Sequence, residues 1–418
     1  MKNKLFLSIL LSLLILQGWA QVKNRSALVG DWSGKLDNGA VSLTLILHLE
    51  QKEQWINVTM DSPDQGAKGI PAFKEYLTDD SIAIKFETLG ANYRARLTDG
   101  KLVGTFTQFG FSLPLNLSRG VPEVRRPQNP QPPYPYITEE VTFQNAEAGA
   151  TLAGSLTYPV GYNPIQQKKT KVVLLISGSG QQNRNEELMN HQPFLVIADF
   201  LARQGIATLR YDDRATGASV GGDLKNATTA DFMLDAAAGM EFLRNRKFGR
   251  VGCLGHSEGG AIAFMLGAKE KTDFIVSLAG PGVKGDTLLA AQNNRILQLM
   301  KSPARGSVAS IRSMAIRQQN AWMNFFIDYD PAKDIQAIRC PVFALNGDRD
   351  AQVISSLNLE SIRRLLPKSP YNIIKEYPGL NHLFQHAETG LPTEYGNIEE
   401  TISPEVLQDI SQWINGLK

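Results

Sequence analysis

The sequence predicts an α/β protein: a mainly parallel sheet with helices on both faces and a helical cap, preceded by a small β-rich domain. Three observations predict it. From about Ile137 onward, short apolar runs alternate with helix-length segments. From Val22 to about Arg119, apolar and polar residues alternate one by one between closely spaced turn signals. Between the two, Pro122, Pro127, Pro130, Pro132, Pro133 and Pro135 mark an extended, semi-rigid linker.

The expected organisation is a signal peptide over residues 1–20, a β-rich domain over 21–120, a linker over 121–136 and a catalytic domain over 137–418, with a cap at about 283–330. Lys2 and Lys4 precede a nearly unbroken apolar run from Leu5 to Leu16, and Gly18-Trp19-Ala20 supplies small residues before Gln21. That run is too short for a bilayer span and fits a cleaved export signal, with an uncleaved anchor as the alternative. The mature protein is therefore expected to be periplasmic or extracellular, without stable membrane insertion. Of 418 residues 20% are charged, and 43 basic residues nearly balance 41 acidic ones. That balance argues against nucleic acid as a partner. Cys253 and Cys340, the 2 cysteines of the chain, fall on predicted core strands; if another strand separates those two, the cysteines are too far apart to bridge, and they read as small buried hydrophobes.

In the N-terminal part, Val41–Leu49 and Ile82–Phe86 alternate as half-buried strands do, and Asp37-Asn38-Gly39 and Asp99-Gly100 are turns. A sheet, a barrel and a sandwich all fit. The pair Glu140–Phe143 and Thr151–Tyr158 reads as a hairpin. Strands follow at Lys171–Ser177, Ala207–Tyr211, Val251–Leu254, Phe274–Ala279, Val342–Leu345 and Tyr371–Glu376. Helices are expected at Phe194–Gln204, Thr229–Asn245, Gly259–Lys269, Ser355–Leu366 and Pro404–Leu417. Between Val283 and Asp330 the alternation breaks into a helical excursion carrying Met300, Met314, Trp322, Met323, Phe325 and Phe326. Its place in the order suits a cap.

Gly255-His256-Ser257-Glu258-Gly259 lies between a predicted strand and a predicted helix, the setting of a nucleophile elbow. The sharp turn needs small residues two positions either side of the serine, and Gly255 and Gly259 supply them. A serine hydroxyl needs a base, and the chain has 5 histidines. His48 lies in the other domain. His256 adjoins the serine, and its side chain is expected to point away. His191 sits on the early half of the sheet. His382 follows the last strand on a turn-prone loop and is the candidate base, with His386 one helical turn on or a solvated loop residue. The carboxylate that orients the base comes from Asn346-Gly347-Asp348-Arg349-Asp350, either Asp350, deeper in the loop, or Asp348. Amides of Glu258 and Ser179 are the candidate oxyanion donors, the latter in the small-residue loop Ser177-Gly178-Ser179-Gly180-Gln181. That loop lacks the lysine and spacing of a phosphate-binding loop. No cluster with metal-ligand spacing stands out, and neither metal nor cofactor is expected.

Several of these motifs share one resemblance. Ser177–Glu186 resembles the GSGPQDRNE loop of bacterial α/β-hydrolase-fold serine esterases. Leu209–Ser219 resembles their R-x-D-D-R-G-x-G-x-S turn, with Ala215 where the family carries glycine. Gly255–Gly260, Asn346–Val353 and Gly379–Phe384 match the nucleophile, acid and histidine motifs, in the order Ser257, Asp350, His382. The resemblance covers roughly Ile137 to Lys418. It implies a serine carboxylesterase acting on small-molecule esters, related to prolyl-type peptidases. A peptidase or amidase of the same fold is the first alternative. A secreted binding protein on an inert scaffold is the second. Within the Asp212-Asp213-Arg214 turn, a structural salt-bridged role is expected.

Overall fold

The computed structural model describes residues 27–37, 42–53, 55–65, 67–121, 125–318 and 320–418. The expected export signal at 1–20 lies outside them. The chain divides into two compact units, the first ending at Pro122 and the second running from Glu123 to Lys418.

The first unit is a closed, all-antiparallel barrel of eight strands in sequence order. They are β1 (Gly30–Asp37), β2 (Ser42–Gln51), β3 (Ile56–Ser62), β4 (Ala67–Leu77), β5 (Ser81–Phe86), β6 (Ala91–Thr98), β7 (Lys101–Gln108) and β8 (Phe111–Arg119). The sequence left sheet, barrel and sandwich open. Pairing of β1 with β8, through Trp32 opposite Arg119, makes it a barrel. Trp32 is buried, donates its indole N–H to the Leu28 carbonyl at 2.7 Å, and lies 4.5 Å beneath the Arg119 guanidinium. Inward residues such as Leu47, Ile84, Phe86, Tyr93 and Phe106 fill the interior, as the two-residue period requires. His48 is a face residue on β2, held between Asp31 at 2.8 Å and Asp61 at 3.3 Å.

The second unit holds a sheet of nine strands: β9 (Thr138–Asn145), β10 (Ala150–Thr157), β11 (Lys171–Ile176), β12 (Ala207–Tyr211), β13 (Val220–Gly221), β14 (Arg250–His256), β15 (Ile275–Leu278), β16 (Val342–Gly347) and β17 (Ile373–Tyr377). Leaving aside the two-residue β13, the order across it is β9-β10-β12-β11-β14-β15-β16-β17. Strands β12 to β17 run parallel along that path, and β9 and β10 are antiparallel neighbours at one edge. This is the strand order of the α/β-hydrolase fold. Alternate residues of β11 feed opposite faces: Val172, Leu174 and Ile176 join one buried cluster, Val173 and Leu175 the other. A strand buried on both sides reads as a continuous apolar run for that reason.

Helices α1 (Pro193–Arg203), α2 (Thr229–Asn245), α3 (Glu258–Ala268), α8 (Ser355–Leu365) and α9 (Pro404–Gly416) accompany the sheet. Helix α2 begins where a capping box forms: Thr228 and Asp231 reciprocally satisfy each other's backbone amides. Four more helices intervene between β15 and β16: α4 (Gly285–Leu299), α5 (Val308–Gln318), α6 (Ala321–Asp328) and α7 (Ala332–Ala337). The Pro-rich segment is fastened to the second unit rather than held as a free spacer. The Arg126 guanidinium donates to the carbonyls of Met189, Gly396 and Ile398, and Gln128 exchanges hydrogen bonds with Thr401 and Ile402. Cys253 and Cys340 are free thiols. Cys340 is half-buried, not fully enclosed as the sequence suggested, because it precedes β16 instead of lying within it.

Candidate active site

The C-terminal ends of β11, β14 and β16 and the loop after β17 converge, the usual place for a site in a parallel sheet. Strand β14 ends at His256, and α3 begins at Glu258, so Ser257 makes the whole reversal. Its backbone lies at φ 54°, ψ −118°, a left-handed conformation that L residues other than glycine adopt rarely. The turn leaves no room for side chains on its flanks. A Cβ on Gly255 would stand 1.9 Å from the Gly259 carbonyl oxygen, and one on Gly259 would stand 2.1 Å from that of Ile176. Ser257 is half-buried and opens onto a cavity of ≈310 Å³.

His382 lines the same cavity. Its Nδ1 lies 2.7 Å from Asp350 Oδ2, and both side chains are buried. Asp350 is fixed in turn: its Oδ1 accepts the amides of Gln352 at 2.7 Å and Val353 at 2.8 Å. Asp348 faces elsewhere and accepts the Gly379 amide at 2.7 Å, while Arg349 donates to the carbonyls of Ala387 and Glu388. With Nδ1 facing the carboxylate, Nε2 of His382 is the nitrogen left for the cavity.

Glu258 and Ser179 flank Ser257. Among the described residues neither amide donates to a protein acceptor. The Glu258 carboxylate is buried and receives Thr229 Oγ1 at 2.6 Å, Trp322 Nε1 of α6 at 2.7 Å, and the Ser179 hydroxyl. Burial pushes its pKa up against the pull of those three donors. Asp213 lies below the same loop, where it accepts Ser177 Oγ at 3.1 Å and the Gln182 amide at 2.9 Å. Burial raises its pKa to about 7, opposed by those bonds and helped by the charges of Glu258 and Asp235. The Asp212-Asp213-Arg214 turn thus does more than close on itself. Asp212 pairs with Arg184 at 2.8 Å, Arg214 pairs with buried Asp235 at 2.7 Å, and Asp213 holds the 177–182 loop.

His256 departs from the sequence reading. Its ring is turned toward His382, 4.8 Å between ring centroids, instead of pointing away. Nδ1 lies 2.9 Å from Glu186 Oε1, and Nε2 lies 3.0 Å from the His382 carbonyl oxygen. Two buried acceptors draw it there. Glu186, which sequence reasoning missed, also accepts the Gly178 amide at 2.7 Å. His191 is buried against Thr401 and the Tyr395 carbonyl, away from the set, and burial lowers its pKa to about 4. His386 is exposed beside Glu400. The rest of the cavity wall is largely apolar, from Leu288, Leu289, Trp322, Phe326, Val353 and Leu383, with glutamines 182, 292 and 352 as its uncharged polar groups.

Comparison with known proteins bears on this unit. A family model described as serine aminopeptidase S33 matches residues 189–332, a span that includes Ser257 but neither Asp350 nor His382. The chain is 26% identical over 280 residues to the esterase EstD of Thermotoga maritima. That match takes in 63% of this chain and 65% of the relative, just under two-thirds of its length. Among solved structures, the Pyrococcus furiosus esterase Pf2001 is 17% identical, with a TM-score of 0.45 over 71% of this chain and 98% of that one. The Est1E protein of Butyrivibrio proteoclasticus, solved with ferulic acid bound, is 16% identical, with a TM-score of 0.46 over 66% of this chain and 98% of that one. Strand order and the strand–serine–helix turn make the second unit an α/β-hydrolase fold, and the family match falls within it.

Proposed function

We propose that this protein is an exported serine carboxylesterase that cleaves small, uncharged esters through an acyl-serine intermediate. The observation that carries the reading is that His382, paired with buried Asp350 at 2.7 Å, lines one cavity with the left-handed Ser257. His382 Nε2 takes the Ser257 proton as Oγ attacks the ester carbonyl carbon. Asp350 fixes the tautomer and balances the imidazolium. The oxyanion that forms is met by the amides of Glu258 and Ser179 and by the positive end of α3. The C–O bond to the alcohol then breaks, and His382 returns the proton to the leaving oxygen. Water, activated by the same histidine, hydrolyses the acyl-serine. The likeness of Ser177–Glu186 to the GSGPQDRNE loop supports the same reading.

A peptidase reading draws on the aminopeptidase description of the matched family. The cavity favours the ester. An aminopeptidase must hold its substrate's α-ammonium, and that calls for a carboxylate. Glu186 is the one acid among the residues lining the cavity, and it is engaged by His256 and Gly178. Assay of the purified protein with acyl p-nitrophenyl esters and with aminoacyl anilides decides between the two. Esters are expected to turn over and anilides not. The reverse result would make it a peptidase.

A further inference from the structure

Both ring nitrogens of His256 face acceptors: a carboxylate oxygen at 2.9 Å and a backbone carbonyl oxygen at 3.0 Å. A neutral imidazole has one N–H and one lone pair. Either tautomer would therefore press a lone pair against an oxygen, in a site where His256 is only 7% exposed. An imidazolium satisfies both contacts.

We propose that His256 is a standing imidazolium and a positioning residue, bracing the backbone of His382 on one side and Glu186 on the other. The inference rests on the triad reading above for its kinetic consequence, but not for its geometry. The bonded chain runs from the Gly178 amide to Glu186, from Glu186 to His256, and from His256 to the His382 carbonyl. It joins the loop carrying the Ser179 amide to the loop carrying the base, through the residue that precedes Ser257. Glu186 is itself held at φ 50°, a strained backbone for a non-glycine residue. The titratable groups facing His256 are Glu186 from the loop after β11, Asp350 from the loop after β16, and His382 after β17. Glu258 on α3 is turned toward Thr229 and Trp322 instead. Burial alone would lower the His256 pKa, yet the charge and hydrogen bond of Glu186, the His382 carbonyl and the Asp350 charge leave it raised.

The two histidine rings lie 4.8 Å apart between centroids. A fixed cation at that distance opposes a second positive charge on His382. Replacing His256 by glutamine removes that cation, so a proton on His382 is opposed less. The midpoint of the acid limb of kcat/KM is then expected to move to higher pH.

Two measurements test the proposal. The first is kcat/KM against pH for wild type and His256→Gln. An upward shift of the midpoint is expected. A variant that loses rate with an unmoved midpoint would mean a structural role only. The second is nitrogen NMR of the histidine-labelled wild type, with the His256 signal identified by its absence in His256→Gln or by its change in Glu186→Gln. Two protonated ring nitrogens at pH 8 are expected, and one would overturn the proposal. The NMR result stands whether or not the protein cleaves esters, so failure of the esterase reading and failure of this inference remain distinguishable.

Discussion

Asp348 and Asp350 lie two positions apart on one loop, and the sequence left the choice between them open. Their surroundings differ in kind. Asp350 receives two backbone amides on one oxygen and faces His382 with the other, so its orientation is fixed before any substrate arrives. Asp348 holds the Gly379 amide, a turn contact on the exposed side of the loop. Asp350→Asn is therefore expected to cut kcat by up to about 10⁴-fold by leaving His382 in the wrong tautomer. Asp348→Asn keeps an oxygen acceptor for Gly379 and should leave kcat/KM near wild type. Steady-state kinetics of the two variants check this, and the opposite order would make Asp348 the acid. At this scale the turn at Ser257 and the loop positions of Asp350 and His382 were legible, because a strand–serine–helix turn and loops after strands carry local signatures. Glu186 and the true direction of His256 were not. Those two residues are 70 positions apart, and nothing local in either segment announces the pair.

Among the elements, local pattern and structure agree where burial is two-sided or a helix is well capped. Helix α2 spans Thr229–Asn245 as the sequence indicated, and the apolar run at Lys171–Ile176 is a strand buried on both faces. The two-residue β13 had no pattern to read. The turn after β12 carries a readable strain. Ala215 is exposed and sits at φ 54°, where its Cβ crowds the following carbonyl. Glycine adopts that conformation without the clash but gives up more entropy on folding. The difference leaves Ala215→Gly more stable by about 0.5–1 kcal/mol. Urea unfolding should show a higher midpoint at unchanged slope, since the exposed side chain packs against little. A lower midpoint would mean that the loss of chain stiffness outweighs the relief of strain.

For the whole molecule, the sequence showed two textures and placed the change between them at a proline-rich stretch. What it did not show is closure. Pairing of β1 with β8 joins segments from opposite ends of the first unit, and alternation along a strand is the same in an open sheet as in a barrel. Buried aromatic and aliphatic side chains fill that barrel, whereas the chemistry-bearing residues gather at one end of the second unit's sheet. Among the described residues no helix is long and apolar enough to cross a membrane, and no group of His, Cys, Asp and Glu is arranged to hold a metal ion. The proposed chemistry stands or falls on one serine. The most direct measurement is turnover of a p-nitrophenyl ester by wild type and by Ser257→Ala, with fluorophosphonate labelling of both followed by mass spectrometry. Wild type should carry the label on Ser257, and the variant should stay unlabelled and lose about 10⁴-fold or more in kcat. Label on another residue, or turnover by the variant near the wild-type rate, would contradict it.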